Sequence, residues 1–194
     1  DVNVMAVGER HLTYPDVDHL IFLKAATGIG SGIISDGRLQ RGSQGTAGDI
    51  GHVRVSRGDN IACRCGNYGC LEAVAGSPAV IKNVNDAGLP VRNMSDLVDA
   101  TKRSKVEAIQ AVRQAGRDIG EVLSTCVSLM NPSIIVIGGS MASAGEHLIA
   151  GVREAVYSRS MPLASESLSI VQSKAGKEVG IIGASVMAIE YVLD

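Results

Sequence analysis

Between His52 and Cys70, within nineteen residues, the chain places one imidazole and three thiols: His52, a ten-residue spacer, then Cys63-Arg64-Cys65-Gly66-Asn67-Tyr68-Gly69-Cys70. Thiolate and imidazole are the donors that Zn²⁺ prefers, and four of them close a tetrahedron with no position left for substrate. Gly66 and Gly69 let the loop turn back so that Cys70 can meet Cys63 and Cys65. His52, Cys63, Cys65 and Cys70 are therefore read as a closed, structural Cys₃His zinc site. A disulfide would leave one of three clustered cysteines unpaired, and Cys63 and Cys65 are too close in sequence to pair without strain. Cys126, the fourth cysteine, sits in a helical apolar pattern and reads as a small core residue.

The same stretch carries a resemblance. Asp49-Ile50-Gly51-His52 followed by Cys-x-Cys-Gly-x-x-Gly-Cys-x-Glu, ending at Glu72, resembles the signature of the ROK proteins, a group of bacterial repressors and sugar kinases. The resemblance extends to Asp1-Val2-Asn3-Val4-Met5-Ala6, to Thr27-Gly28-Ile29-Gly30-Ser31-Gly32 and to Ile137-Gly138-Gly139, in the family's order. It implies a sugar site made by Asp1, Asp49, His52 and Glu72.

In the kinases of this family the residue matching Asp1 is the general base that takes a proton from the attacking sugar hydroxyl. In the repressors it only binds a hydroxyl. Read alone, Asp1 is a helix cap. Asp49 departs from the kinase pattern, which has Glu; its carboxylate reaches about 1.5 Å less far, and misplacement on that scale can cost about 100-fold in rate. Alone, Asp49 is a turn residue after Gly48 and Glu72 a helix-start carboxylate. His52 can serve twice, one ring nitrogen on the metal and the other toward a hydroxyl. Gly28 and Gly30 would lie near phosphates, and Gly138 and Gly139 near adenosine, if ATP and Mg²⁺ bind. Without the resemblance they are a glycine-rich hairpin and a tight strand-to-helix turn.

The elements that must position these residues follow from hydrophobic spacing. A helix is expected over 1–9. Leu20-Ile21-Phe22-Leu23-Lys24-Ala25 suits a buried strand, returning through the glycine turn as a second strand to Ser35, with Asp36-Gly37 as the next turn. Residues 38–48 read as a mobile glycine-rich loop. Helix starts fall at Leu71 and Ser77-Pro78. Apolar residues at 106, 109, 112, 119, 122, 123, 126 and 130 give a helix from Val106 to Met130, ended by Asn131-Pro132. Ser133 to Ile137 is a strand whose Gly138-Gly139-Ser140 turn leads directly into a helix over 144–156. A last strand over 168–171 and a helix over 180–192 complete an α/β domain. By the resemblance it is an actin-like, ribonuclease H-like sugar-kinase lobe, a mixed sheet with flanking helices and a zinc-stapled loop, over residues 1–194.

At 194 residues and 45% hydrophobic, the chain can bury a sizeable core. A formal net charge of −2, with basic residues scattered, argues against a nucleic-acid surface, and with no Trp and one Phe there is no stacking platform. No apolar run is long enough to span a membrane. Reduced, metal-binding cysteines point to the cytoplasm. The chain opens at Asp1, inside the motif and without Asp-x-Gly-x-Thr, the first phosphate loop of such kinases. This leads us to expect a C-terminal lobe with the edge of an absent N-terminal half.

Two functions are consistent with this. One is the sugar-sensing domain of a ROK transcriptional regulator, a homodimer or tetramer that holds a hexose or related sugar and reaches DNA only through an upstream winged helix. The alternative is an ATP-dependent, glucokinase-like sugar kinase with Asp1 as general base. A zinc-stapled oligomerisation domain would require the four sugar-site residues to coincide by chance.

Overall fold

The computed structural model describes residues 1–176 and 178–193. In chain order its elements are α1 (Val2–Thr13), β1 (Leu20–Ala25), β2 (Ile29–Ser35), β3 (Arg38–Gln40), α2 (Leu71–Ala75), α3 (Ser77–Asp86), α4 (Met94–Lys102), α5 (Val106–Met130), β4 (Ile134–Gly138), α6 (Glu146–Arg159), α7 (Pro162–Ser165), β5 (Ser169–Gln172) and α8 (Val179–Leu193). The five strands form one mixed sheet in the order β3-β2-β1-β4-β5. The β3-β2-β1 half is antiparallel, and β1-β4-β5 is parallel.

The two central strands are apolar along nearly their whole length because both faces are covered. On one face Leu20 and Phe22 of β1 meet Ala6 of α1, Ile34 and Val136. On the other, Ile21, Leu23 and Ala25 join the larger core under α5 and α6. Gly32 admits α1 to the sheet: a Cβ there would lie 2.5 Å from that of Ala6.

The long helix α5 has the predicted limits and ends at Asn131 in the left-handed region (φ 43°), which Pro132 follows. Gly116 and Gly120 of α5 admit a close approach of α6. A Cβ on Gly116 would stand 2.4 Å from the Leu148 carbonyl oxygen of α6, and one on Gly120 2.7 Å from that of Val152. On the opposite side α1 crosses α8 at Gly8 and Gly183. There the buried Glu9 accepts from the Ser173 hydroxyl and from the Lys174 N–H, tying α1 to the segment after β5.

Three expectations need correction. Residues 38–48 are not simply a loop. Arg38–Gln40 pair with β2, and the far end is anchored where the Gly48 carbonyl accepts from the Ser31 N–H at 2.8 Å. A 3₁₀ turn, Ser140–Ala144, intervenes before α6, because Gly145 has a positive φ of 75° that breaks the path into the helix. Asp1 precedes α1 as its N-cap, but its carboxylate makes no capping bond and turns to Lys24 instead.

No described helix is long and apolar enough to cross a membrane.

Candidate metal centre and ligand site

The metal loop closes on itself before any ion is considered. The Cys63 N–H donates to the Asn67 carbonyl (2.8 Å) and the Gly66 N–H to Cys63 (3.1 Å), a tight turn made possible by Gly66 at φ 94°. Antiparallel bridges Ala62–Tyr68 and Arg54–Cys70 zip the two arms together, and Leu71 N–H donates to Val53 at 2.9 Å. Gly69, at φ 77°, fits because a Cβ would press on Arg54 Cγ at 2.9 Å.

This turn brings the four predicted ligands to one point. The donor atoms of His52, Cys63, Cys65 and Cys70 all lie within 4.8 Å of one another. His52 Nδ1 is 3.7 Å from Cys63 Sγ, and Cys65 Sγ is 3.6 Å from Cys70 Sγ. Zn–S bonds of about 2.3 Å in a tetrahedron put sulfurs about 3.8 Å apart, so the donor set fits such an ion. All four cysteines are free thiols. Burial pushes the Cys70 thiol up to about 12, whereas the Asn67 backbone N–H lowers exposed Cys65 to about 7. With Nδ1 turned to the sulfurs, Nε2 is the ring nitrogen left to meet a ligand.

A second set of bonds pins this loop to the core. Arg57, in the 3₁₀ turn Ser56–Gly58, pairs with the buried carboxylate of Asp118 on α5, and both Ser56 N–H and its hydroxyl donate to Glu121. Sequence reasoning missed these partners. The signal was present: Asp118 is an acidic residue on the face of α5 that also carries Ala115, Ile119 and Val122.

The other predicted residues gather around the turn from β1 to β2. Glu72, in the first turn of α2, accepts from the Ile29 N–H (3.3 Å) with its Oε2, and Gly28 leaves room for that oxygen. Gly51 packs against the Ile29 carbonyl and Glu72, and Gly48 against Ser31, so the exposed Asp49 is held between two anchored glycines and His52 follows directly. Asp1 reaches the same strand end through Lys24 Nζ, 3.4 Å from its Oδ2. Lys24 in turn lies opposite Gly30 on β2 and Gly138 on β4. Glu72 and the backbone flanking Asp49 thus meet the β1-β2 turn, and Asp1 meets Lys24, near the carboxyl end of the parallel pair β1-β4, where open α/β sheets bind ligands.

The glycines have packing reasons of their own. A Cβ on Gly138 would strike the Phe22 ring at 2.5 Å, and one on Gly139, at φ 89°, the Ala25 carbonyl oxygen at 2.4 Å. At the glycine turn, Ala26 N–H is bonded to Gly28 and Ile29 N–H to Glu72, so the backbone there is a hairpin with two amides engaged. A cleft of about 280 Å³ lined by Thr27, Cys63, Arg64, Glu72, Pro78 and Lys82 opens beside the metal loop. A larger groove, about 680 Å³, lies away from this chemistry, between α1, α8 and the β2-β3 hairpin.

Zinc-type ligands beside carboxylates on an actin-like sheet define a family. The ROK family matches residues 1–191, and the chain belongs to it. It is 30% identical over 207 residues to the xylose repressor of Caldicellulosiruptor bescii, covering 100% of this chain and 52% of that protein. Among solved structures it resembles a ROK family transcriptional regulator homologous to the E. coli MLC protein (TM-score 0.87, 30% identity, 96% of this chain and 50% of that one). It equally resembles the ROK hexokinase of Thermus thermophilus (TM-score 0.85, 31% identity, 100% of this chain and 64% of that one). Repressors and kinases are thus both represented, and the chain spans about half the length of the curated repressors it matches.

Proposed function

We propose that this chain is the sugar-sensing, effector-binding part of a cytoplasmic ROK transcriptional regulator, stabilised by a structural zinc ion on His52, Cys63, Cys65 and Cys70. The observation that carries this reading is Asp49. It stands between the anchored Gly48 and Gly51, so its shorter side chain cannot be offset by a shift of backbone. Asp1, Asp49, His52 Nε2 and Glu72 hold the ring hydroxyls of a hexose or related sugar. Zinc orients His52 and the start of α2 without entering any reaction. DNA is reached through an upstream domain, and bound sugar acts on a homodimer or tetramer by favouring one arrangement of its lobes over another.

A second reading, an ATP- and Mg²⁺-dependent sugar kinase with Asp1 as general base, is favoured by the likeness to the hexokinase and by Gly28, Gly30, Gly138 and Gly139 at one strand end. One experiment separates the two. Full-length protein is titrated by calorimetry with D-xylose, D-glucose, N-acetyl-D-glucosamine and their phosphates, and assayed for sugar-dependent ADP release. Binding without ADP release supports the sensor; turnover overturns it in favour of the kinase. No binding at millimolar sugar rejects both.

A further inference from the structure

The four residues read as the sugar site are nearly all acceptors. Three are carboxylates, and the imidazole has one nitrogen to spare. A sugar hydroxyl donates one hydrogen bond and accepts up to two, so a site of carboxylates alone leaves its acceptor side unmet and sets like charges close together. One cation among the described residues is hydrogen-bonded to a member of this set: Lys24, whose Nζ lies 3.4 Å from Asp1 Oδ2. Leu20 and Phe22 of β1 face α1, and Lys24 continues that alternation past the end of the helix, where its side chain is 32% exposed. It is a charged residue closing an otherwise apolar strand.

We infer that Lys24 is a fifth contact of the ligand site, donating to the hydroxyl from which Asp1 accepts. An ammonium has three hydrogens. One meets Asp1, and the others remain for the sugar. Lys24 therefore supplies a donor that the carboxylates of the site lack. The inference rests on the sensor reading above.

The test is calorimetry on full-length protein, wild type and Lys24→Met, with D-glucose, D-xylose, N-acetyl-D-glucosamine and the monodeoxy derivatives of whichever binds. Losing a charged hydrogen bond should weaken binding by about 10- to 100-fold. The deoxy sugar lacking the contacted hydroxyl should bind both proteins equally, while metal content and the sugar-free melting temperature stay the same. Equal affinity of wild type and variant for the intact sugar, or a uniform loss for every deoxy derivative, overturns the role of Lys24 and leaves the sensor reading standing. If wild type binds none of the sugars, both fall. Should Lys24→Met melt lower without sugar, Lys24→Gln carries the same deoxy comparison.

Discussion

Arg57 of the metal loop lies 2.6 Å (Nη2 to Oδ2) and 3.2 Å (Nε to Oδ1) from Asp118 of α5, whose side chain is only 3% exposed. Asp118 also accepts from Gln114 at 3.0 Å. The loop is consequently held by two independent staples, one of donor atoms for a metal and one an ion pair. Removing the guanidinium would strand a buried charge. Arg57→Met should lower stability to denaturant by about 3 kcal/mol and raise amide exchange over 53–58, even in metal-loaded protein. Unchanged exchange there would show that the metal alone holds the loop.

The metal staple is tested from the other side. Chelation, or Cys65→Ser, should loosen the 49–72 segment and weaken sugar binding by about 10- to 100-fold or more. α5 and the central strands should remain protected from exchange, since Ile119, Leu123, Ile135 and Ile137 lie in a large core to which the segment adds only Ile50, Val55 and Leu71. Elemental analysis of gently purified, reduced protein should find one zinc per chain.

Asp49→Glu adds about 1.5 Å of reach between two fixed glycines. In a sensor, affinity for the sugar should change by less than about tenfold, with no ADP release before or after. A gain of turnover in the variant would show that the shorter side chain was what silenced a kinase.

At the α5-α6 crossing, Gly116→Ala introduces a methyl 2.4 Å from a carbonyl oxygen. The helices must part, costing about 1–3 kcal/mol. Zinc content should be unaffected, because the ligands lie on the loop and not on this seam.

Acid should reach the start of α4 only below about pH 4. Asp96 accepts from the Arg92 side chain and then its backbone N–H, which holds its pKa below the ordinary value of 3.8. A folded pKa below the unfolded one means that the stabilisation is present above about pH 4 and lost as pH falls through the lower value. The stability difference between wild type and Asp96→Asn should therefore be constant at neutral pH and shrink below that point.

The parts of the site legible in the sequence were those made by local rules. Cysteine spacing and glycine placement set the metal loop, and a strict helical repeat set the limits of α5. What could not be read were partnerships across the fold. Arg57 and Asp118 are 61 residues apart and Lys24 and Asp1 are 23 apart, and no pattern within a window links them. Lys24 and Asp118 were nevertheless visible as ionisable residues in apolar contexts. Residues 38–48 were misjudged because their glycines describe freedom, while the bond between Gly48 and Ser31 depends on where the second strand runs.

The mixed pairing of β1 has a kinetic corollary. Its partner β2 is a few residues away and can zip up at once, but β4 must wait for the whole chain between Ala25 and Ile134 to loop back, the slower kind of closure. The end of the sheet beside the candidate site sits on that boundary, Lys24 between an early neighbour at Gly30 and a late one at Gly138. A nascent chain would therefore hold its metal loop and hairpin before it owned a complete pocket.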